Sequence, residues 1–291
     1  MMSANVLPFE RPGWRDAPGL RDAPEFVRAN GRLEIETRSR QGASVIQHVS
    51  EEGSLRVRFP RERNTHLTAV AINTGGGATG GDRFSISCRA GAGSALAFTS
   101  AAAEKFYRST GPVAQIEISM KVEAAASLAW LPQEAILFDG ARVQRRMNVE
   151  IDSGATALVC DLNCVGRIAM GEEVQRFWLN DQWRFHIGGE LVLADFTHID
   201  GPASDILARP AVSNGSSFGS LYYAGPGVDD VARNWMNIAA SCCDDDQVAC
   251  GIVGGLLITR MNGPSMERLR MLSAQLIAAA NVTPLPRSWA T

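Results

Sequence analysis

The chain has 291 residues, 45% hydrophobic and 20% charged, with a formal net charge of −3 at pH 7. This length can bury one large core or two small ones, and the slight acidity offers no electrostatic footprint for nucleic acid or an anionic membrane. No apolar run reaches the roughly 18 residues of a spanning helix, so a cytoplasmic protein without a membrane partner is expected.

Residues 1–30 read as a disordered Pro-rich tail. Pro8, Pro12, Pro18 and Pro24 break regular structure, and Arg-Asp-Ala-Pro occurs at 15–18 and again at 21–24. Charged residues and prolines recurring through 8–28 argue against a signal-peptide h-region. Residues 31–291 are expected to form a single domain, with a repetitive β part over 31–200 and a mixed part with helices over 201–291.

The repeat is a strand, a tight turn of small residues and a second strand. Phe84-x-Ile86-x-Cys88 leads through Gly93-Ser94-Ala95 to Leu96, and Ile116-x-Ile118-x-Met120 leads through Ala125-Ala126-Ser127 to Leu128 at the same internal distances. Leu33-x-Ile35-x-Thr37 with Gly42-Ala43-Ser44-Val45 follows the pattern. Met147-x-Val149-x-Ile151 reaches Leu158 with one residue fewer in the turn. Such units bury a continuous core by stacking. Without intervening amphipathic helices, a doubly wound α/β sheet is excluded. The expected class is mainly β, a helically wound scaffold of stacked strand–turn–strand units, with about two α-helices toward the C-terminus.

Inside the repeat lies its least ordinary segment, Asn73-Thr-Gly-Gly-Gly-Ala-Thr-Gly-Gly-Asp82. Gly75, Gly77 and Gly80 satisfy a dinucleotide-binding spacing, which requires a helix N-terminus next. The following Arg83–Cys88 alternates as a strand does, and Asp82 would repel phosphate. The loop therefore reads as a strand–strand connection packed against other backbone. Glu134, between hydrophobic runs, is either buried and paired or lines something polar; a solvated turn after Pro132 accounts for it equally well.

Gly215-Ser216-Ser217-Phe218-Gly219 has the form of a nucleophile elbow, but the strand-like Ser220–Tyr223 stands where a helix must follow. Helices are expected over 228–239, with Val228, Val231, Trp235 and Ile238 on one face, and from Ser265, an N-cap, to about Ala280. Residues 247–260 form a strand candidate interrupted at Gly254-Gly255. The four histidines are scattered. Cys242, Cys243 and Cys250 near Asp244–Asp246 could bind a soft metal, but with no His nearby in sequence they read better as small buried hydrophobes beside a charged turn.

Four segments together resemble one family, the urease accessory protein UreD (UreH). They are Gly75-Gly76-Gly77-Ala78-Thr79-Gly80-Gly81-Asp82; the run containing Lys105, Tyr107 and Arg108; Leu131-Pro132-Gln133-Glu134; and the run containing Gly166, Arg167, Gly171 and Glu172. Members often carry a larger apolar residue beside the glycines, where this chain has Gly77-Ala78-Thr79. The resemblance implies no catalysis. It implies a metallochaperone scaffold of the GTP-dependent complex that inserts nickel into apo-urease, with nickel in transit and no permanently bound cofactor. The implied partners are a UreF-type helical protein, a UreG-type GTPase held through it, and apo-urease. A transit path needs ligands that release, which suits isolated carboxylates; Asp82, Glu134 and Glu172 are the candidates. The alternative is a β-solenoid binding or structural module without a metal role. A hydrolase acting through Ser217 ranks third.

Overall fold

The computed structural model describes residues 28–61, 66–167, 171–207, 215–242 and 247–289. Its strands are Asn30–Arg40 (β1), Ala43–Glu52 (β2), Leu55–Arg58 (β3), Leu67–Asn73 (β4), Arg83–Ala90 (β5), Ala95–Ser100 (β6), Glu104–Phe106 (β7), Ala114–Val122 (β8), Ser127–Leu131 (β9), Ala135–Leu137 (β10), Arg142–Ile151 (β11), Thr156–Val165 (β12), Arg176–Ile187 (β13), Glu190–Pro202 (β14), Ser217–Ala224 (β15), Gln247–Val253 (β16) and Leu256–Gly263 (β17). Helices are Ala203–Leu207 (α1), Val228–Ala240 (α2) and Met266–Ala280 (α3), followed by a 3₁₀ turn at Arg287–Trp289.

The chain winds between two sheets. One has the order β14-β13-β11-β8-β5-β1-β2; the other runs β16-β17-β15-β12-β9-β6-β4-β3, with β7 and β10 as a short ladder beside it. From β4 to β13 each coil lays one strand on each sheet, parallel to the strand before it. Apolar side chains at every second position meet in the space between the sheets. Phe98 and Trp130, on successive coils, stack with ring centroids 4.0 Å apart and planes at 4°.

The first two repeat units stack as aligned: Phe84 pairs with Ile116, Cys88 with Met120 and Leu96 with Leu128. The other two correct the alignment. Met147 pairs with Ile118 rather than Ile116, a slip of two that keeps the same face inward. The turn before β12 is as long as the one before β9, so the register set by Met147 and Ile118 carries through it and puts Ala157 beside Leu128 and Leu158 beside Ala129. A slip of one flips every side chain, so Leu158 leaves the inter-sheet core and joins the cluster under the helices. In the first unit Leu33 pairs with Ile86, and after the turn β2 returns antiparallel on β1 in the same sheet instead of crossing. That unit closes the stack.

α2 and α3 cover the outer face of the second sheet, where Val231, Trp235, Leu269, Leu276 and Ile277 pack on Leu158, Cys160, Leu221 and Leu257. With both faces covered, β12 is buried along almost its whole length, which explains the apolar run over 157–160 in place of alternation. Ser265 caps α3 as expected, its Oγ accepting from Arg268 N at 3.4 Å. The interruption at Gly254-Gly255 is the turn of a hairpin: both residues have positive φ, and β16 pairs antiparallel with β17. No helix among the described residues is long and apolar enough to cross a membrane.

Candidate functional site

The four motif segments are the connections that carry the chain from the second sheet to the first, and they line one edge of the stack. Their backbones form a ladder of their own. Ala78 N donates to Lys105 O at 2.7 Å and Tyr107 N to Ala78 O at 2.8 Å. Phe138 N donates to Phe106 O at 3.0 Å and Gly166 N to Leu137 O at 2.8 Å. β10 pairs in parallel with both β7 and β12, so segments separated by about 30 residues in sequence become neighbours.

The glycine loop is built for close approach. A Cβ at Gly80 would lie 1.9 Å from Ser109 Oγ and 2.4 Å from Pro112 O, and one at Gly77 2.6 Å from Lys105 O. Strand β5 follows it where a phosphate cradle needs a helix, as the sequence indicated. Asp82, at its end, is buried; Oδ1 accepts from Ala29 N and Oδ2 from Thr79 N, both at 2.8 Å. The carboxylate thus pins the loop to the start of β1. Asp82→Ala leaves two amide donors without their acceptor and should cost about 2–3 kcal/mol, while Asp82→Asn, which keeps one acceptor, should cost less; thermal melts compare them.

Glu134 pairs with Arg270 of α3 at 3.1 Å, a contact across 136 residues of sequence. Glu172 accepts from Arg167 through its backbone N (3.1 Å) and Nε (3.0 Å); burial works to raise its pKa, but these bonds outweigh it and hold the pKa below the usual carboxylate range. No hydrogen bond joins Asp82, Glu134 and Glu172 to one another; each is tied to its own donors. Around Glu172 the edge presents an ordered ridge. Tyr107 meets Phe138 edge-on at 5.0 Å, Arg167 lies over the Phe138 ring at 4.7 Å, and Arg108 pairs with Asp139. The Tyr107 ring and the Arg108 and Arg167 heads reach solvent.

Behind this edge lies a polar row that the motif reading missed. Asp161 of β12 projects between the sheets, where Arg145 Nη1 and Nη2 donate to its two oxygens at 2.8 and 2.7 Å. Arg145 Nε also donates to Asp181 Oδ1 at 3.0 Å, and Nη2 bonds the other oxygen. All three side chains are buried. One guanidinium against two carboxylates leaves one negative charge in excess. Burial raises the Asp161 pKa, with Arg145 opposing; it also works against the guanidinium's charge, but the two aspartates more than offset that.

The row extends both ways. Asn163 donates to Asp161 at 2.7 Å, and its own Oδ1 is buried with no hydrogen-bond partner. Asn163 pairs with Ala135, which pairs with Glu104 at the motif edge. Glu104 accepts from Asn73 at 3.0 Å, and burial pushes its pKa up to about 7. In the other direction Asp161, Ser220 and Arg260 are register partners across β12, β15 and β17; Arg260 bonds Ser220 at 2.7 Å and pairs with Asp195 of β14. One signal was present in the sequence: Asp161 and Asp181 fall on the inward-facing alternation of their strands, among Ala157, Val159 and Val165 and among Phe177, Leu179, Trp183 and Phe185.

Ser217 is fully buried in β15, with strand following it, so no nucleophile elbow exists there. Of the cysteine group, Cys242 packs against the helix cluster and Cys250 Sγ lies 3.1 Å from Thr259 Oγ1; Cys243 and Asp244–Asp246 fall outside the described residues. Among the described residues no three His, Cys, Asp or Glu side chains are grouped to hold a metal.

Fold and edge together define a β-solenoid-like scaffold with a tied crossing edge and a charged interior. A family model described as UreD urease accessory protein matches residues 29–290. The chain is 37% identical to urease accessory protein UreD 1 of Bradyrhizobium sp. (strain ORS 278), over 94% of its own length and 98% of the relative's. It is 39% identical to urease accessory protein UreD of Azorhizobium caulinodans, over 92% and 98%, and 40% identical to that of Rhodopseudomonas palustris (strain HaA2), over 90% and 93%. The chain belongs to the UreD family of urease accessory proteins.

Proposed function

We propose that this chain is the scaffold of the complex that inserts nickel into apo-urease, and that the space between its sheets is the route the metal takes. A UreF-type helical protein and, through it, a UreG-type GTPase are the proposed partners. The observation that carries the route is the buried polar row. From the motif edge it runs through Glu104, Asn163 and Asp161 with Asp181, and on through Ser220 and Arg260 to Asp195 of β14, with an excess negative charge at the Arg145 triad and an oxygen of Asn163 lacking a donor. Oxygen ligands spread singly along a path bind a divalent cation weakly and let it leave, whereas a closed cage of thiolates and imidazoles would hold it. Arg145 sets that balance, since its charge offsets one of the two aspartates beside it. Asp82 and Glu172 act in this reading by shaping the edge at which the row begins, and Glu134 by fixing that edge to α3.

Co-expression with apo-urease and its other accessory proteins tests the proposal. Asp161→Asn leaves Arg145 paired with Asp181 and removes the excess charge. The variant should assemble with its partners as wild type does while urease nickel content and activity fall at least severalfold. Full nickel loading with Asp161→Asn would remove the interior route. Loss of assembly together with loading, in a variant that still folds, would favour the alternative of a binding module without a metal role.

A further inference from the structure

The free edge of a sheet is a row of backbone donors and acceptors on which another strand can build, and proteins blunt such edges. The described strands end in four of them, at β2, β14, β3 and β16. Three are blunted. β14 carries Glu190, Asp195 and Asp200 and is bulged at Val192; β2 is bulged at Gln47 and ends in Glu51-Glu52; β3 has four residues, two of them arginine. β16 has no such device. Its sequence, Gln-Val-Ala-Cys-Gly-Ile-Val, holds no charge and no proline, and it pairs with β17 over seven residues without a register shift. Ile252 is 40% and Val253 50% exposed. No described strand lies on its outer side.

We propose that β16 joins two copies of this chain, antiparallel about a two-fold axis, into one continuous sheet. The strand suits itself better than it suits a charged partner. A strand bearing lysines or carboxylates would find no opposite charge on it, whereas two uncharged copies meet without repulsion. With Cys250 on the axis, Val248 lies opposite Ile252 and Ala249 opposite Gly251, so bulk meets bulk and small meets small. α2 lies over β16 at this end of the sheet and leaves Met236 46% exposed. The same two-fold sets the two α2 helices side by side on one face. One copy covers the edge of the other completely, so association stops at the dimer.

Sedimentation velocity of the full chain should show a dimer that dissociates on dilution, and amide exchange along 247–253 should slow only in the dimer. Ala249→Lys with Gly251→Lys sets four ammonium groups around the axis. Both sites have room, since Ala249 is exposed and a Cβ at Gly251 meets nothing within 4 Å. This variant should be monomeric at every concentration, with the melting temperature of dilute, dissociated wild type. Mild oxidation should cross-link wild type, but not Cys250→Ser, into a covalent dimer. A wild-type chain that stays monomeric overturns the proposal, as does a lysine variant that stays dimeric. Outward-facing amides of 247–253, those that β17 does not bond, found already protected in the monomer would overturn it too, because another segment would then cover the edge.

Discussion

Replacing Arg145 alone with methionine should destabilise the protein by about 3–5 kcal/mol, because it strands two buried carboxylates with no counter-charge. Arg145 supplies four hydrogen bonds to Asp161 and Asp181, and all three side chains lie between the sheets, away from water. With the guanidinium gone, each carboxylate must ionise in a low-dielectric space or take up a proton. At about 2–4 °C per kcal/mol for a chain of this size, the melting temperature should fall by roughly 10 °C. The companion variant carries Arg145→Met, Asp161→Asn and Asp181→Asn together. It removes the charges along with their desolvation cost, so it should recover most of the lost stability. Equal destabilisation in both variants would mean that the triad acts through shape and hydrogen bonding, not charge. Recovery of stability without recovery of nickel transfer would separate the role of the carboxylates from that of the fold.

Glu104→Gln should stabilise the protein at pH 8 by up to about 3 kcal/mol and change little at pH 4. Burial raises the pKa of Glu104 from its ordinary value near 4.5 to about 7. The folded chain thus holds a proton that the unfolded chain has already released. Its contribution is fully present below about pH 4.5 and is lost as pH rises through about 7. A shift of that size corresponds to about 3 kcal/mol at 1.36 kcal/mol per unit. Gln keeps an oxygen to accept from Asn73 and never ionises. Melts at the two pH values read the difference directly, and a variant whose stability keeps the wild-type pH dependence would place that proton elsewhere. Glu104 also ties Asn73, which in turn bonds Gly77 O at 3.1 Å. The glycine loop and the near-neutral carboxylate are therefore one unit.

Much of the fold was legible because its physics is local. Alternation gave the long strands of the coils from β5 to β12, small-residue turns gave the coils, and the apolar faces of α2 and α3 and the Ser265 cap of α3 were read within a residue or two. The misalignments share one cause. A slip of two residues preserves the buried face, so the pattern cannot distinguish Ile116 from Ile118 as the partner of Met147. The turn before β12 is not shorter once Met147 stands beside Ile118, and it is then Ala157, not Leu158, that takes the place of Leu128. The β1–β2 unit looked like a crossing, but whether a tight turn returns in the same sheet or passes to the other depends on twist and on what waits across the gap.

At the site, the motif residues were visible as segments but not as an edge. Asp82 and Glu134 stood out as isolated carboxylates, yet their partners, Ala29 and Arg270, lie 53 and 136 residues away. Arg145, Asp161 and Asp181 each fall on the inward-facing alternation of a strand, a pattern that marks one buried charge at a time and not which charges meet.

The sequence by itself therefore determined the class of fold, the family and the existence of the four crossing segments, since these rest on periodicity, turn chemistry and contiguous motifs. Only the tertiary structure decided that those segments form one ladder, that Leu158 faces the helices, and that three charges from three strands meet between the sheets. Parallel winding brings together residues one coil apart, and a buried charge has meaning only through the partner that the winding places beside it.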